Sequence, residues 1–151
     1  MTSIYLLNLA KIGQLDSVPL SVELVKRMLL SARQRLRDGE FTQNSPETRF
    51  DCAYTAIRVA ADIGLHLNGF RTSTSKPGHH QTAIQCLTYT LGVDAATVRI
   101  LDGLRKQRNQ SDYDGEMMTD SALQECLRQA QAMMNRIDSA LKENPAFGSG
   151  G

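Results

Sequence analysis

The chain has 151 residues, with 17 Lys and Arg against 16 Asp and Glu, 41% hydrophobic residues and 22% charged ones. That length suits one domain around a single core, and the composition excludes wholesale disorder. A net charge of +1 excludes a strong global field toward nucleic acid or an anionic membrane, so any such attraction must come from a local patch; with no Trp and 5% aromatics, a base-stacking platform is disfavoured.

Residues 1–15 are expected to be an N-terminal segment with room for a short helix. Its opening, MTSIYLLNLAK, carries no basic residue ahead of the apolar stretch and no small-residue cleavage site, so it does not read as a signal peptide. The main domain is expected over 16–144. A first long helix is predicted from near Asp16 or Ser17, with Pro19 in its first turn, to a stop before Gly39. Val25, Met28, Leu29, Ala32 and Leu36 recur at three- and four-residue steps along it. Phe41 to Asn44 reads as a loop. Ser45-Pro46-Glu47 then supplies an N-cap, an N1 proline and an acid in the first turn of a second helix. Phe50, Ala53, Tyr54, Ile57, Ala61 and Gly64 share its apolar face, and Gly69 closes it as a C′ glycine.

FRTSTSKPG, residues 70–78, reads as a loop. A third helix is expected from His79 to Leu91, ended by Gly92. Asp94 caps a fourth, with Val98, Leu101 and Leu104 facing inward. A polar turn is expected from Arg108 through Gly115. Thr119 or Asp120 starts a last long helix bearing Leu123, Cys126, Leu127, Ala130, Met134, Ile137 and Leu141, which Pro145 stops. Residues 145–151 form a glycine-rich tail, disordered from Phe147 onward. No strand-like alternation of useful length intervenes. The fold class is therefore all-α, an antiparallel bundle of four or five helices.

Cys52, Cys86 and Cys126 stand 34 and 40 residues apart among apolar neighbours and read as small core residues in a reducing compartment, the cytoplasm. His66, His79 and His80 show no ligand spacing with them, so neither a metal nor another cofactor is expected. No apolar run approaches the length of a membrane span.

The stretch that departs from plain bundle sequence is Leu104-Arg105-Lys106-Gln107-Arg108-Asn109-Gln110-Ser111-Asp112-Tyr113-Asp114-Gly115. Arg105 and Arg108 are three apart and share a helix face, where two guanidinium forks suit a phosphate. The same cations also suit a helix C-terminus, where each meets the dipole for about 0.3–1 kcal/mol. Asp102, Asp112 and Asp114 are within reach as ion-pair partners. The first long helix is locally basic through Lys26, Arg27, Arg33, Arg35 and Arg37; Lys26, Arg33 and Arg37 lie on one side, as an RNA-tracking face or an ordinary solvated one. Met28, Met117, Met118, Met133 and Met134 offer adaptable apolar packing.

Three pieces of the chain, taken in order, resemble the HEPN superfamily, in particular a stand-alone bacterial branch of it. They are the helix Phe50-Asp51-Cys52-Ala53-Tyr54-Thr55-Ala56-Ile57-Arg58; the turn Gly69-Phe70-Arg71 leading to Gly78-His79-His80; and Leu104 to Asn109 running into Asp112-Tyr113. The resemblance spans most of residues 20–142. It implies an up-and-down bundle that pairs into a homodimer with the polar motifs lining a shared cleft. It also implies binding of a nucleotide or RNA, metal-independent ribonuclease activity from an Arg followed by a His, or partnership with a small nucleotidyltransferase in a toxin–antitoxin pair.

The sequence departs from that motif at its histidine. Tyr113 stands where the family's His would follow Arg108, and no histidine occurs after His80. A tyrosine with a pKa near 10 is a poor general base at neutral pH. The family's modifiable tyrosine would fall at Gly115. His79 and His80 begin the third helix and are the remaining source of an acid or base. His66 reads as a helix-end or interface residue. The expectation is a module that binds a nucleotide or RNA phosphate without strong catalysis: Arg105 and Arg108 hold the phosphate, Asn109 and Asp112 shape the turn, Tyr113 hydrogen-bonds or stacks, and His79 and His80 stand nearby. The alternatives are a metal-independent endoribonuclease using Arg108 with Tyr113 or with His79 and His80, and a protein–protein adaptor whose polar motif only stabilises the bundle.

Overall fold

The computed structural model of the chain describes residues 3–114 and 118–148, the side chains of 111–114 excepted. In chain order these form α1 (Ile4–Lys11), β1 (Leu15–Ser17), α2 (Val22–Glu40), α3 (Pro46–Leu67), β2 (Phe70–Thr72), α4 (His79–Gln85), α5 (Leu87–Leu91), α6 (Ala95–Asp114), α7 (Asp120–Glu143) and a 3-10 turn, Pro145–Phe147. The molecule is mostly helical, as its periodicity predicts, with one two-stranded ribbon added.

α3 is the central element. It packs against α2, α4, α5, α6, α7 and β2. Its sequence explains this: Ala53, Ala56, Ala60, Ala61 and Gly64 are all buried and let neighbouring helices approach from several sides, while Phe50, Ile57, Ile63 and Leu65 fill the space between. Gly64 is the tightest of these positions, since a Cβ there would sit 2.8 Å from Thr90 Oγ1. Ser45 caps α3 by accepting from the Thr48 amide, with Pro46 in the first turn, and Gly69 follows its end at φ +83°, the left-handed geometry that glycine tolerates best. Leu29, Ala32 and Leu36 of α2 and Cys126, Ala130, Met134 and Ile137 of α7 complete the core.

Several sequence-based boundaries need correction. The first long helix begins at Val22 with Ser21 as its cap, not at Asp16 or Ser17, and Pro19 lies ahead of it. Asp16 and Ser17 belong instead to β1, which pairs antiparallel with β2, a segment read as loop; Asp16 stands opposite Arg71. Gly39 lies inside α2 rather than beyond it, and is buried where α2 and α3 fold back on one another. Arg49 reinforces that turn by donating from Nε to the Gly39 carbonyl at 2.8 Å.

The helix expected over His79–Leu91 breaks at Cys86, whose amide is shared between the Thr82 and Ala83 carbonyls. The expected polar turn after Arg108 is also helical: α6 continues to Asp114, so Asn109 and Asp112 shape no turn. Arg105, Lys106 and Arg108 consequently lie ahead of the last turn, which removes the helix C-terminus as the reason for their charge. Thr119 caps α7, accepting from the Ala122 amide. Phe147 is not part of a disordered tail; it closes the 3-10 turn and packs on the core.

Candidate functional site

Four polar or amphipathic residues on α3 lie in one stripe, Asp51, Tyr54, Arg58 and Asp62, at steps of three, four and four. α6 brings Arg105 and Arg108, three apart, toward that stripe. The start of α4 supplies His79 and His80 directly after Gly78, which adopts φ +76° to turn the chain into the helix. A cavity of about 190 Å³ lies between the three helices. Tyr54 lines it from α3; Gly78, His79, His80 and Gln81 from α4; and Arg105, Arg108 and Asn109 from α6. Five of the seven site residues expected from sequence thus share one cavity. The other two, Asp112 and Tyr113, fall in the last turn of α6, and their side chains lie outside the described residues, as does Gly115.

Each arginine is held by a carboxylate through Nε. Arg105 donates to Asp102 Oδ1 at 2.9 Å, with both side chains largely buried. Arg108 donates to Asp51 Oδ1 at 2.5 Å, and its guanidinium carbon stands 5.5 Å from the centroid of the Tyr54 ring. Holding a guanidinium by Nε fixes its plane and costs less order when its remaining N–H groups engage a ligand. Of the acids named from sequence, Asp102 is the partner of Arg105 and also of Lys106, at 3.5 Å. Arg108 pairs with Asp51, 57 residues away.

The titratable groups divide by their surroundings. Burial pushes the Tyr54 hydroxyl up to about 12 despite Arg105, Arg108 and Arg58, so it is neutral near pH 7. That hydroxyl is buried and has no hydrogen-bond partner among the described residues. Desolvation brings His80 down to about 4, assisted by Arg58, His79 and Arg108. Burial raises Asp62 to about 6 against the opposing pull of Arg58 and His79; the Arg58 guanidinium lies 3.8 Å from its carboxylate. The site therefore combines three permanent cations with a neutral phenol and a neutral imidazole. Such a set can hold an anion and orient it. It lacks an activated thiolate, because burial raises Cys86 to about 11 and Cys126 to about 12, and raises Cys52 as well.

Drug-sized ligands occupy pockets of about 300–1,000 Å³, so this smaller cavity suits a phosphate and part of a sugar with the rest of a ligand outside. Among the described residues no group of three His, Cys, Asp or Glu is placed to hold a metal, and none of their helices is long and apolar enough to cross a membrane. His66 lies in the last turn of α3, its pKa lowered by burial and by Arg71. The basic residues of α2 lie elsewhere: Arg33 pairs with Asp138, Arg35 with Asp38, and Arg37 donates to Gln34.

Asp51, Arg58, Asp62 and Gln81 were not expected as site residues, and Tyr54 was expected only as core. The signal that finds the α3 residues is their period, since four polar or amphipathic side chains on one face of a buried helix require a partner. The chain matches no family model, no curated protein and no solved structure.

Proposed function

We propose that this protein is a HEPN-like module, an up-and-down bundle acting as a homodimer, that binds a phosphate of a nucleotide or RNA in the cavity between α3, α4 and α6. The observation that carries the reading is the convergence there of Arg105 and Arg108, each held by a carboxylate through Nε, with Arg58 close enough to act on the Tyr54 hydroxyl at the wall. A phosphate accepts from two guanidinium groups and finds neutral donors beside them. The RNA setting, and a nucleotidyltransferase or toxin–antitoxin partner, come from the sequence resemblance alone.

Binding fits the groups better than strong catalysis. At pH 7 a His80 with a pKa of about 4 accepts a proton but has none to give, and a phenol at about 12 does not ionise. The ribonuclease reading keeps one specific support, since His79 and His80 line the same cavity as the two arginines.

The test is a structured RNA pool and a panel of mononucleotides incubated with the protein in EDTA, with Arg108→Ala alongside and a salt series on native gels. Binding without cleavage is expected, weakening with salt and by about tenfold or more in the variant, from the loss of a charge-assisted hydrogen bond. The fold survives the substitution because the Asp51 side chain it leaves is 51% exposed. Cleavage lost in Arg108→Ala favours the nuclease. Lost stability with no effect on any ligand favours the adaptor.

A further inference from the structure

His80 shares the wall of the α3/α4/α6 cavity with Arg105 and Arg108. Its ring lies 4.1 Å from that of His79, tilted by 51°. The charges that act on it come from every side of the cavity: Arg58 from α3, His79 from its own helix and Arg108 from α6. Every one of these is a cation or becomes one on protonation. Of the described carboxylates nearby, Asp51 pairs with Arg108, Asp102 with Arg105 and Lys106, and Asp62 with Arg58. Of the other elements packed on α4, β2 contributes Arg71, which acts on His66, and α5 contributes Tyr89, which stacks on Tyr5 of α1. Among the described residues, no negative charge therefore acts on His80 to favour its imidazolium.

A phosphate seated against Arg105 and Arg108 reverses that field. It places an anion beside His80, which with His79 is one of two imidazoles on the cavity wall able to gain a proton and donate it as an N–H. We propose that phosphate binding at this cavity is coupled to proton uptake by His80, which becomes the third cationic donor to the bound anion. This rests on the phosphate reading and adds to it a specific consequence: the protein captures its anion together with a proton, more tightly as the solution becomes more acid.

An ion at contact shifts a neighbouring pKa by about one to three units. From the starting value of about 4 for His80, a rise of about two units makes binding about tenfold tighter at pH 5 than at pH 7. Asp62, at about 6, titrates in the same window, and its protonation also makes the surroundings more positive; His79 stands on the same wall, so the experiment must separate His80 from both.

The experiment is calorimetric titration of the intact chain with the dinucleotide UpU and, separately, with inorganic sulfate. Both probes keep their charge between pH 5 and pH 8, unlike a phosphomonoester. Binding enthalpies that vary with the ionisation heat of the buffer, and about tenfold tighter binding at pH 5 than at pH 7, are expected. His80→Asn should flatten the pH profile, whereas Asp62→Asn and His79→Asn should keep its slope. As a readout independent of any variant, the His80 ring protons should titrate at higher pH when sulfate is added. A pH-flat affinity with binding still present, or a slope that survives His80→Asn, overturns the proton coupling to His80 and leaves the phosphate reading standing. No binding of either probe at pH 5 or pH 7 overturns both.

Discussion

Gly39 and Gly103 both lie inside long helices, and replacing each by alanine gives opposite expected results from the same chemistry. Alanine is favoured over glycine in a helix interior by about 1 kcal/mol. At Gly103 of α6, a Cβ meets no heavy atom within 4 Å, so nothing opposes that gain. At Gly39 of α2, a Cβ would stand 3.0 Å from the Arg49 carbonyl oxygen and 3.2 Å from the Ala53 amide nitrogen, both backbone atoms of α3. Backbone cannot rotate away as a side chain can. The two helices must separate by a few tenths of an ångström, disturbing the bond from Arg49 Nε to the Gly39 carbonyl. Overpacking of this kind costs about 1–3 kcal/mol. Gly39 is the next-to-last residue of α2, where the propensity gain is smaller than at Gly103, so the two variants should differ by at least about 1–3 kcal/mol, with Gly103→Ala more stable than the parent and Gly39→Ala the less stable of the two. For a chain of this size, 1 kcal/mol corresponds to about 2–4 °C in Tm. Urea unfolding followed by far-UV circular dichroism, with the slope unchanged among the three proteins, measures the difference. Equal midpoints for the two variants would refute the claim that α2 and α3 meet backbone to backbone at this glycine.

Asp62, at about 6 in the fold and about 3.9 in an unfolded chain, holds its proton more tightly when folded. Its contribution to stability is thus whole below pH 4 and lost as the pH rises through 6. Asp62→Asn removes that fall and leaves the opposing rise from His80, at about 4, across pH 4 to 6.5, so the variant's stability should climb with pH more steeply than the parent's and exceed it at pH 7 by about 1–2 kcal/mol, checked by unfolding at pH 4, 5, 6 and 7. Thr119→Ala removes the acceptor for the Ala122 amide at the start of α7, and Ser45→Ala the one for Thr48 at the start of α3. Each should cost about 1 kcal/mol in denaturant unfolding. Cys86 and Cys126 are fully buried with pKa values of about 11 and 12. Iodoacetamide at pH 8 should leave both unmodified in the native protein and label them in urea, as mass spectrometry would show.

What was legible in the sequence was whatever has a local cause. Ser45-Pro46 and Thr119 start helices, and Gly69 and Gly92 stop them, because capping and left-handed geometry depend on a few adjacent residues. The ribbon was illegible: each strand has three residues, too few to show alternation, and each is specified by a partner more than fifty positions away. Missing β1 also moved the apparent start of α2, since Asp16 and Ser17 resemble helix caps when read without their partner strand. The sequence ends α6 too early because Asn109, Ser111 and Asp112 favour turns locally, yet the helix carries through them. The cavity shows the same division. The spacing of Arg105 and Arg108 made them candidates, but their Nε partners and the approach of His79 and His80 belong to tertiary structure.

The small ribbon also governs the order in which the molecule assembles. Pairing Ser17 with Phe70 closes a loop that contains all of α2 and α3, and on an open chain that closure alone costs about 3–4 kcal/mol in entropy. Once α2 and α3 have folded back on one another, the two strands already stand close, and most of that cost is met. The strands are therefore latecomers, and α1, which leans on β1, arrives with them. In reverse, these elements should open together as one low-energy unit while the α2–α3 pair stays protected, a sequence that native-state hydrogen exchange resolves amide by amide. β2 runs on through residues 73–78 into the helix that begins with His79 and His80. The strand β1 thus clasps the segment that leads to both imidazoles, and its opening should raise hydrogen exchange at the start of α4 while leaving that of α6 unchanged.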